Sequence, residues 1–446
     1  MLTGKKVLVL GLAKSGAAAV ELLDVLNADI TINEYSPKEK IEKYDEYIER
    51  GFEVICGGHP DELFERDFDF VVRNPGIQYH KPFLLRLEER GIPIYTEIEL
   101  GFKYAKPQNY IAITGTNGKT TTVTLIYEIL KDASRKVHLA GNVGTPYCQI
   151  ILENNLLEES NHDVVLEMSS FQLLNIDEFK PYISTIINLT PDHLDYMDSL
   201  DEYYASKTNI YRNQDEHDYF LVNKDDATIK EYLDRYPYQA QTITFSLEES
   251  ADCEIRDDKI YFQGEEVLPI REIKIVGRHN IQNIMISICA AALSGIPLAS
   301  IRKTITSFMG VEHRIEYVTT INGVKYYNDS KATNTDASII ALKAFNQPVI
   351  LLMGGFEKGL DLSEMRQYND HISKLICFGG AGKRFKEDMK HPDSYLVDHL
   401  EAAINKAYEL AIEGDIVLLS PSTSSFDEFK GYEERGRVFK KLVNKL

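Results

Sequence analysis

The sequence predicts an α/β protein of three domains: a Rossmann-like domain over 1–97, a central P-loop ATPase-like domain with a mainly parallel sheet over 98–310, and a C-terminal Rossmann-like α/β domain over 311–446. Apolar runs of strand length alternate with helical-period stretches along the chain. Two of those runs end in glycine turns that open helices, at 6–16 and 110–123. A third consideration is length, since 446 residues exceed what a single core organises.

Composition narrows the function classes. A net charge of −20 repels nucleic acid unless a basic block intervenes, and the sequence has no Lys/Arg block long enough. Phosphate-bearing small molecules remain open, because a few focused cations suffice for them. The five cysteines, at 56, 148, 253, 289 and 377, are odd in number and contain no CxxC pair, which fits a reducing compartment without disulfides or a zinc site. Residues 1–6 pass into a strand, and no apolar run approaches a membrane span. A soluble cytoplasmic protein is expected, with no membrane partner.

In chain order, Lys6 to Leu10 reads as a buried strand, and Gly11-Leu12-Ala13-Lys14-Ser15-Gly16 as the turn into a helix. A further strand, Thr31 to Glu34, ends in an acid at the spacing of a dinucleotide fingerprint. Ala13 replaces the glycine that lets a pyrophosphate rest on the backbone, which argues against NAD and for a different nucleotide. Asn74-Pro75-Gly76 breaks the chain where an α/β sheet presents ligands, so Asn74 reads equally as a turn residue or a ligand contact. Thr96 to Lys106 reads as a helix leading into the central domain.

The central domain opens on Tyr110-Ile111-Ala112-Ile113-Thr114-Gly115-Thr116-Asn117-Gly118-Lys119-Thr120-Thr121, a strand, a phosphate loop and a helix start. Glycines bring backbone N–H groups to phosphate oxygens, the helix N-terminus adds positive potential, Lys119 supplies a point charge, and the Thr120 hydroxyl suits Mg²⁺. Ile113 stands where the usual loop has its first glycine, so this is a shortened variant. Asp163 to Glu167 is a buried strand whose terminal carboxylate could complete the Mg²⁺ shell, and read alone Glu167 also fits a cap for the next helix. Ile183 to Leu189 delivers Thr190-Pro191-Asp192-His193-Leu194-Asp195, an acid and imidazole cluster favouring metal or phosphate contact. Residues 246–268 read as a peripheral hairpin without chemistry. Asn280 and Asn283 share one face of the helix that follows, where amides pair with a purine edge, with helix capping as the alternative for Asn280.

In the third domain, Ile350 to Gly355 and Asp415 to Pro421 read as core strands, with Lys358 just past the first. Ser422 to Gly436 is too hydroxyl-rich for a core and reads as a ligand loop opening a helix.

The motifs GTNGKTT, LEMSSFQ, TPDHLDY, GRHNIQN, EHRIE, NDSKATN, LLMGG with a following lysine, and SPSTSSFDEFKGYEERG stand in that order. The set resembles the Mur ligases of peptidoglycan synthesis over nearly the whole chain, most closely their D-glutamate-adding branch. The resemblance implies an ATP-dependent ligase that joins D-glutamate to UDP-N-acetylmuramoyl-L-alanine through an acyl phosphate, releasing ADP and phosphate. It implies a monomer, with the first domain holding UDP through Ser15, Glu34 and Asn74. Lys119, Thr120 and Glu167 would handle the γ-phosphate and its Mg²⁺, with Asn142 and His193 on the sugar-peptide substrate or a second Mg²⁺. Asn283 would meet adenine, and Arg314, Asp329 and Lys331 the ribose and phosphates. Thr333, Lys358, Ser425, Phe426 and Tyr432 would form the D-glutamate site, with Phe426 and Tyr432 departing from the Leu and Phe common there. Tyr203 and Lys207 match a Tyr-x-x-x-Lys pattern that implies a carbamylated Lys207, whose oxygen anion suits Mg²⁺. The split of these residues between domains implies closure about hinges near 97 and 310.

Overall fold

The computed structural model describes residues 1–191, 197 and 199–446. Among them the chain builds three sheets flanked by helices. In the first, β1 (Lys6–Leu10), β2 (Asp29–Glu34), β3 (Glu53–Cys56), β4 (Phe70–Arg73) and β5 (Ile94–Tyr95) run parallel in the order β3-β2-β1-β4-β5. The near-continuous apolar composition of β1 follows from burial on both faces. Val7 and Val9 join the helix residues Ala19, Val20, Leu22 and Leu23, while Leu8 and Leu10 meet Leu63, Phe64, Leu84 and Leu87.

The second sheet has nine strands: β6 (Asn109–Thr114), β7 (Val137–Gly141), β8 (Asp163–Glu167), β9 (Ile183–Ile186), β10 (Tyr219–Asn223), β11 (Gln241–Ser246), β12 (Cys253–Arg256), β13 (Lys259–Phe262) and β14 (Glu265–Pro269). Their order is β14-β13-β12-β11-β10-β9-β6-β8-β7, and the pairings from β12 to β7 are parallel. The stretch expected as a peripheral hairpin does form the antiparallel pair β12–β13, but parallel pairing of β12 with β11 makes it part of the sheet. β9 stops at Ile186, three residues short of the strand read from the apolar run.

The third sheet contains β15 (Glu316–Ile321), β16 (Val324–Asn328), β17 (Val349–Gly354), β18 (Ile372–Phe378), β19 (Ser394–Leu396) and β20 (Ile416–Leu419), in the order β15-β16-β20-β17-β18-β19. Only the β15–β16 pairing in it is antiparallel. The fold is thus mixed α/β with a mainly parallel central sheet.

The chain divides into two compact units. Met1–Leu268 with Asn283–Arg302 carries the first two sheets, and Pro269–Gln282 with Lys303–Leu446 carries the third. Inside the first unit, the helix Glu97–Tyr104 follows the last strand of the first sheet and is fixed to elements of the second by two buried acids. Glu97, 2% exposed, accepts the Cys148 N–H at 2.8 Å at the start of the helix Tyr147–Glu153. Glu99, fully buried, accepts the N–H groups of Asp177, Glu178 and Phe179 at 3.1, 2.8 and 3.1 Å. Backbone donors replace part of the solvation that burial removes, and burial still raises both carboxyls above their ordinary pKa. No helix among the described residues is long and apolar enough to cross a membrane.

Candidate active site

β6 is buried along nearly its whole length and ends at Thr114, after which the chain turns sharply. Gly115 and Gly118 take φ of +145° and +86°, which an L side chain resists, and a Cβ at Gly118 would collide with Asn283 Oδ1. The glycine therefore allows a helix carrying Asn283 to lie against the loop. Thr122 Oγ1 also donates to Asn283 Oδ1 at 3.2 Å. The helix Lys119–Asp132 then starts with no side-chain cap, leaving its first N–H groups to the loop.

Around this turn the polar side chains converge. Lys119 Nζ donates to the carbonyl oxygens of Gly115 and Thr116 at 2.8 and 2.7 Å. Thr120 Oγ1 donates to Glu167 Oε2 at 2.8 Å, and Asn142 Nδ2 donates to Glu167 Oε1 at 2.8 Å. Glu167 sits at the end of β8, the strand paired beside β6, so parallel register brings its carboxylate level with the loop. Its possible role as a helix cap falls to Ser169, which forms a capping box with Gln172. Lys207 is 1% exposed, donates from Nζ to Gly115 O at 3.1 Å, and lies 4.4 Å from the centre of the Tyr203 ring. Tyr203 OH donates to Thr116 Oγ1 at 3.4 Å, and the Asn117 N–H donates to Asn188 Oδ1 at 2.9 Å. Thr121 is buried in the first turn of the helix. His193 lies outside the described residues.

A hydroxyl and a carboxylate in contact at a phosphate loop are hard oxygen donors of the kind Mg²⁺ takes, and Mg²⁺ needs only one or two carboxylates when phosphates supply further ligands. No cluster of three His, Cys, Asp or Glu suited to a metal occurs among the described residues. The donor set fits Mg²⁺ bound together with a polyphosphate.

At the carboxyl ends of the first sheet lies a cavity of about 590 Å³, lined by Gly11, Leu12, Lys14, Glu34, His59 and Asn74 among others. Glu34 accepts the N–H groups of Leu12 and Ser36 at 2.6 and 2.9 Å. Burial alone would raise its carboxyl, but these donors outweigh it and hold the group below its ordinary pKa. Asn74, which lines the cavity, performs the turn role, accepting the Gly76 N–H at 3.0 Å, and also donates to Ser15 Oγ, behind the cavity lining, at 2.9 Å.

In the second unit, Asp329 is 4% exposed and accepts Ser420 Oγ at 2.7 Å and the Ile315 N–H at 3.2 Å. Burial pushes its carboxyl up to about 7. Those contacts hold a tight bend in which His313 and Ile315, at φ +68° and +42°, flank the exposed Arg314. Lys331 Nζ lies 6.0 Å from the centre of the Tyr432 ring, and Tyr432 opens the helix Tyr432–Val443. Thr333 is half-buried, while Lys358 and Phe426 are exposed. The expectation that the Ser422 stretch is too hydroxyl-rich for a core is corrected: Ser422, Thr423, Ser424 and Ser425 are all buried. Internal partners make that possible for the first two, since Ser422 Oγ donates to Ser338 Oγ at 2.8 Å and Thr423 Oγ1 to Phe356 O at 2.6 Å. The hydroxyls of Ser424 and Ser425 have no hydrogen-bond partner.

Sequence reasoning missed Asp427, whose Oδ2 accepts the Gly380 N–H at 3.0 Å. The Gly-Gly-Ala-Gly run after an apolar strand was the available signal. It also missed Tyr35 and His59 on the cavity wall.

Strand, glycine loop and helix, with a carboxylate on the adjoining parallel strand, define the class: an α/β enzyme with a phosphate-binding loop. Residues 113–291 match the Mur ligase middle domain and residues 313–423 the Mur ligase glutamate ligase domain. The chain is 41% identical over 449 residues to a UDP-N-acetylmuramoylalanine–D-glutamate ligase of Bacillus mycoides, covering 99% of this chain and 98% of that one. A ligase of the same name from Bacillus cereus is also 41% identical, over 450 residues, with the same coverage. Among solved structures, a UDP-N-acetylmuramate-alanine ligase from Thermotoga maritima shares the fold at a TM-score of 0.57 and 19% identity, covering 99% of each chain. The chain belongs to the Mur ligase family.

Proposed function

We propose that this chain is the ATP-dependent ligase that adds D-glutamate to UDP-N-acetylmuramoyl-L-alanine in peptidoglycan precursor synthesis. The observation that carries the reading is the contact of Thr120 with Glu167 at 2.8 Å on a loop that Lys119 closes. Full-length similarity to ligases of that name supports the choice of substrates.

The chemistry runs in two steps. An oxygen of the substrate's alanyl carboxylate attacks the γ-phosphorus, the bond to the β,γ-bridging oxygen breaks, and ADP departs. The amine of D-glutamate then attacks the acyl carbon, the tetrahedral intermediate expels inorganic phosphate with that carboxylate oxygen, and the amine loses a proton. Activation is required because a carboxylate is a poor electrophile with no good leaving group. Lys119 and the loop N–H groups stabilise charge on the γ-phosphate, and the protein's main contribution is positioning. Mg²⁺, held by Thr120 and Glu167, would neutralise phosphate charge.

We assign UDP to the cavity beside Ser15, Glu34 and Asn74 in a Rossmann-like first domain over 1–97, and the phosphate loop to a second domain over 98–310. Domain 311–446, also Rossmann-like, carries the D-glutamate residues Thr333, Lys358, Ser425, Phe426 and Tyr432. Asn283 serves adenine, and Arg314, Asp329 and Lys331 serve ribose and phosphates. Asn142 and His193 serve the sugar-peptide or a second Mg²⁺. Lys207 is taken as carbamylated, with the neutral amine adding CO₂ and losing a proton to give an oxygen anion. The protein is assigned to the cytoplasm as a monomer. The test is phosphate release with UDP-N-acetylmuramoyl-L-alanine, ATP and a panel of amino acids: D-glutamate supports turnover while L-glutamate and D-aspartate are poor. Equal turnover with another amino acid would contradict the assignment.

A further inference from the structure

The segment that follows β17 carries an acid directly before the lysine assigned to D-glutamate. Its backbone starts among the neighbouring turns: the Gly355 N–H donates to Phe378 O at 3.2 Å, the Ala381 N–H to Gly355 O at 2.8 Å, and the Phe356 N–H to Ser424 O at 2.8 Å. Residues 356–359 are exposed, so Glu357 and Lys358 stand side by side in solvent.

Left to itself, that order of charges works against an anionic substrate. D-Glutamate brings two carboxylates, and both remain when its amine loses a proton to become the nucleophile. A bare Glu357 would repel them and compete with them for the Lys358 ammonium, since neighbours in sequence lie well inside the roughly 10 Å screening length of 0.1 M salt.

Arg384, on the helix Gly382–Met389, removes that conflict. Its Nε donates to Glu357 Oε2 and its Nη2 to Oε1, both at 2.9 Å, and two parallel bonds fix the direction of the carboxylate as well as its charge. The Gly359 N–H donates to the same Oε1 at 2.6 Å, and Arg384 Nη1 donates to Leu360 O at 2.8 Å and to Asp388 Oδ2 at 2.7 Å. One guanidinium therefore holds the chain on both sides of Lys358. Hydrogen bonding to Arg384 is the largest cause that keeps the Glu357 carboxyl below its ordinary pKa. The ion pair of Glu357 is with Arg384, not with Lys358.

We propose that Arg384 is a positioning residue for D-glutamate: it ties up the Glu357 carboxylate so that the Lys358 ammonium is left for the substrate. The role rests on the reading of Lys358 as the cation for D-glutamate, and Arg384 acts through Glu357 without touching the substrate.

The test is the D-glutamate KM of the full chain, read by phosphate release with ATP and UDP-N-acetylmuramoyl-L-alanine saturating. Both side chains are partly exposed and such a pair contributes little to stability, so the variants fold, which melting checks. Arg384→Gln raises the D-glutamate KM about fivefold and leaves the ATP KM within about twofold. The ratio to the unaltered protein falls toward one at about 0.5 M NaCl, where the repulsion is screened. Glu357→Gln combined with Arg384→Gln returns the KM to within about twofold of the unaltered protein, which loss of a merely structural brace would not allow. A rise that the second substitution leaves in place overturns the role of Arg384. So does an unchanged KM in Arg384→Gln while Lys358→Ala raises it about tenfold, and either result leaves the Lys358 reading standing. An unchanged KM in Lys358→Ala overturns both.

Discussion

Lys119 and Lys207 both donate to the carbonyl oxygen of Gly115, at 2.8 and 3.1 Å, so two amines from different helices meet at the phosphate loop. Lys119→Ala should lower turnover by at least about a hundredfold, the usual scale for losing one preorganised charge, and abolish acyl-phosphate formation. UDP-substrate affinity should stay within about threefold, because the cavity beside Glu34 does not include Lys119. Parallel loss of both would show that the two ligands are wrongly assigned. Lys207→Ala should be nearly inactive and recover partly with acetate or formate, and full activity without them would remove the carbamate. Lys358→Ala should raise the D-glutamate KM by about tenfold or more, a 1.4 kcal/mol effect, and a smaller rise would contradict its ion pair with the substrate. At this scale the sequence was informative where chemistry restricts residue choice within one segment, as in Gly118-Lys119-Thr120. The partnership of Glu357 with Arg384 was not legible, since it joins residues 27 positions apart whose types recur throughout the chain.

The glycine turn after β18 and the loop after β20 are joined by one carboxylate. Asp427 Oδ2 accepts the Gly380 N–H at 3.0 Å, and a Cβ at Gly379, where φ is +69°, would lie 2.5 Å from that oxygen. Asp427 thus fixes the segment that carries Ser425 and Phe426. Asp427→Ala should raise the D-glutamate KM about fivefold, the scale of one hydrogen bond, with the ATP KM unchanged. An unchanged D-glutamate KM, measured alongside melting to confirm folding, would reduce the contact to a surface detail. Elements themselves were legible from periodicity, and their ends were not. The strand read over Ile183 to Leu189 ends at Ile186, and the helix read over Thr96 to Lys106 spans Glu97–Tyr104. Apolar composition continues past the last ladder bond, so hydrophobicity alone overruns the pairing. The buried hydroxyls of Ser422 and Thr423 escaped for a different reason: their acceptors, Ser338 and Phe356, come from other parts of the chain.

Across the whole molecule, three mixed α/β sheets follow from alternating strands and helices, and the buried acids that brace them do not show in that pattern. Burial raises Glu97 from 4.5 to about 7. A folded-state pKa above the unfolded value means the folded protein binds the proton more tightly. The stability Glu97 contributes is then complete below about pH 4.5 and lost as pH rises through 7. Glu97→Gln should therefore gain on the unaltered protein as pH rises from about 5 to 8, read as converging melting temperatures. A constant difference across that range would show that Glu97 does not titrate with folding. The central claim concerns a carboxylate activated by ATP, and the fate of its oxygen tests that most directly. With the alanyl carboxylate of UDP-N-acetylmuramoyl-L-alanine labelled with ¹⁸O, turnover with ATP and D-glutamate should place one ¹⁸O in each phosphate released. Phosphate free of label, with amide product still forming, would contradict the acyl-phosphate route.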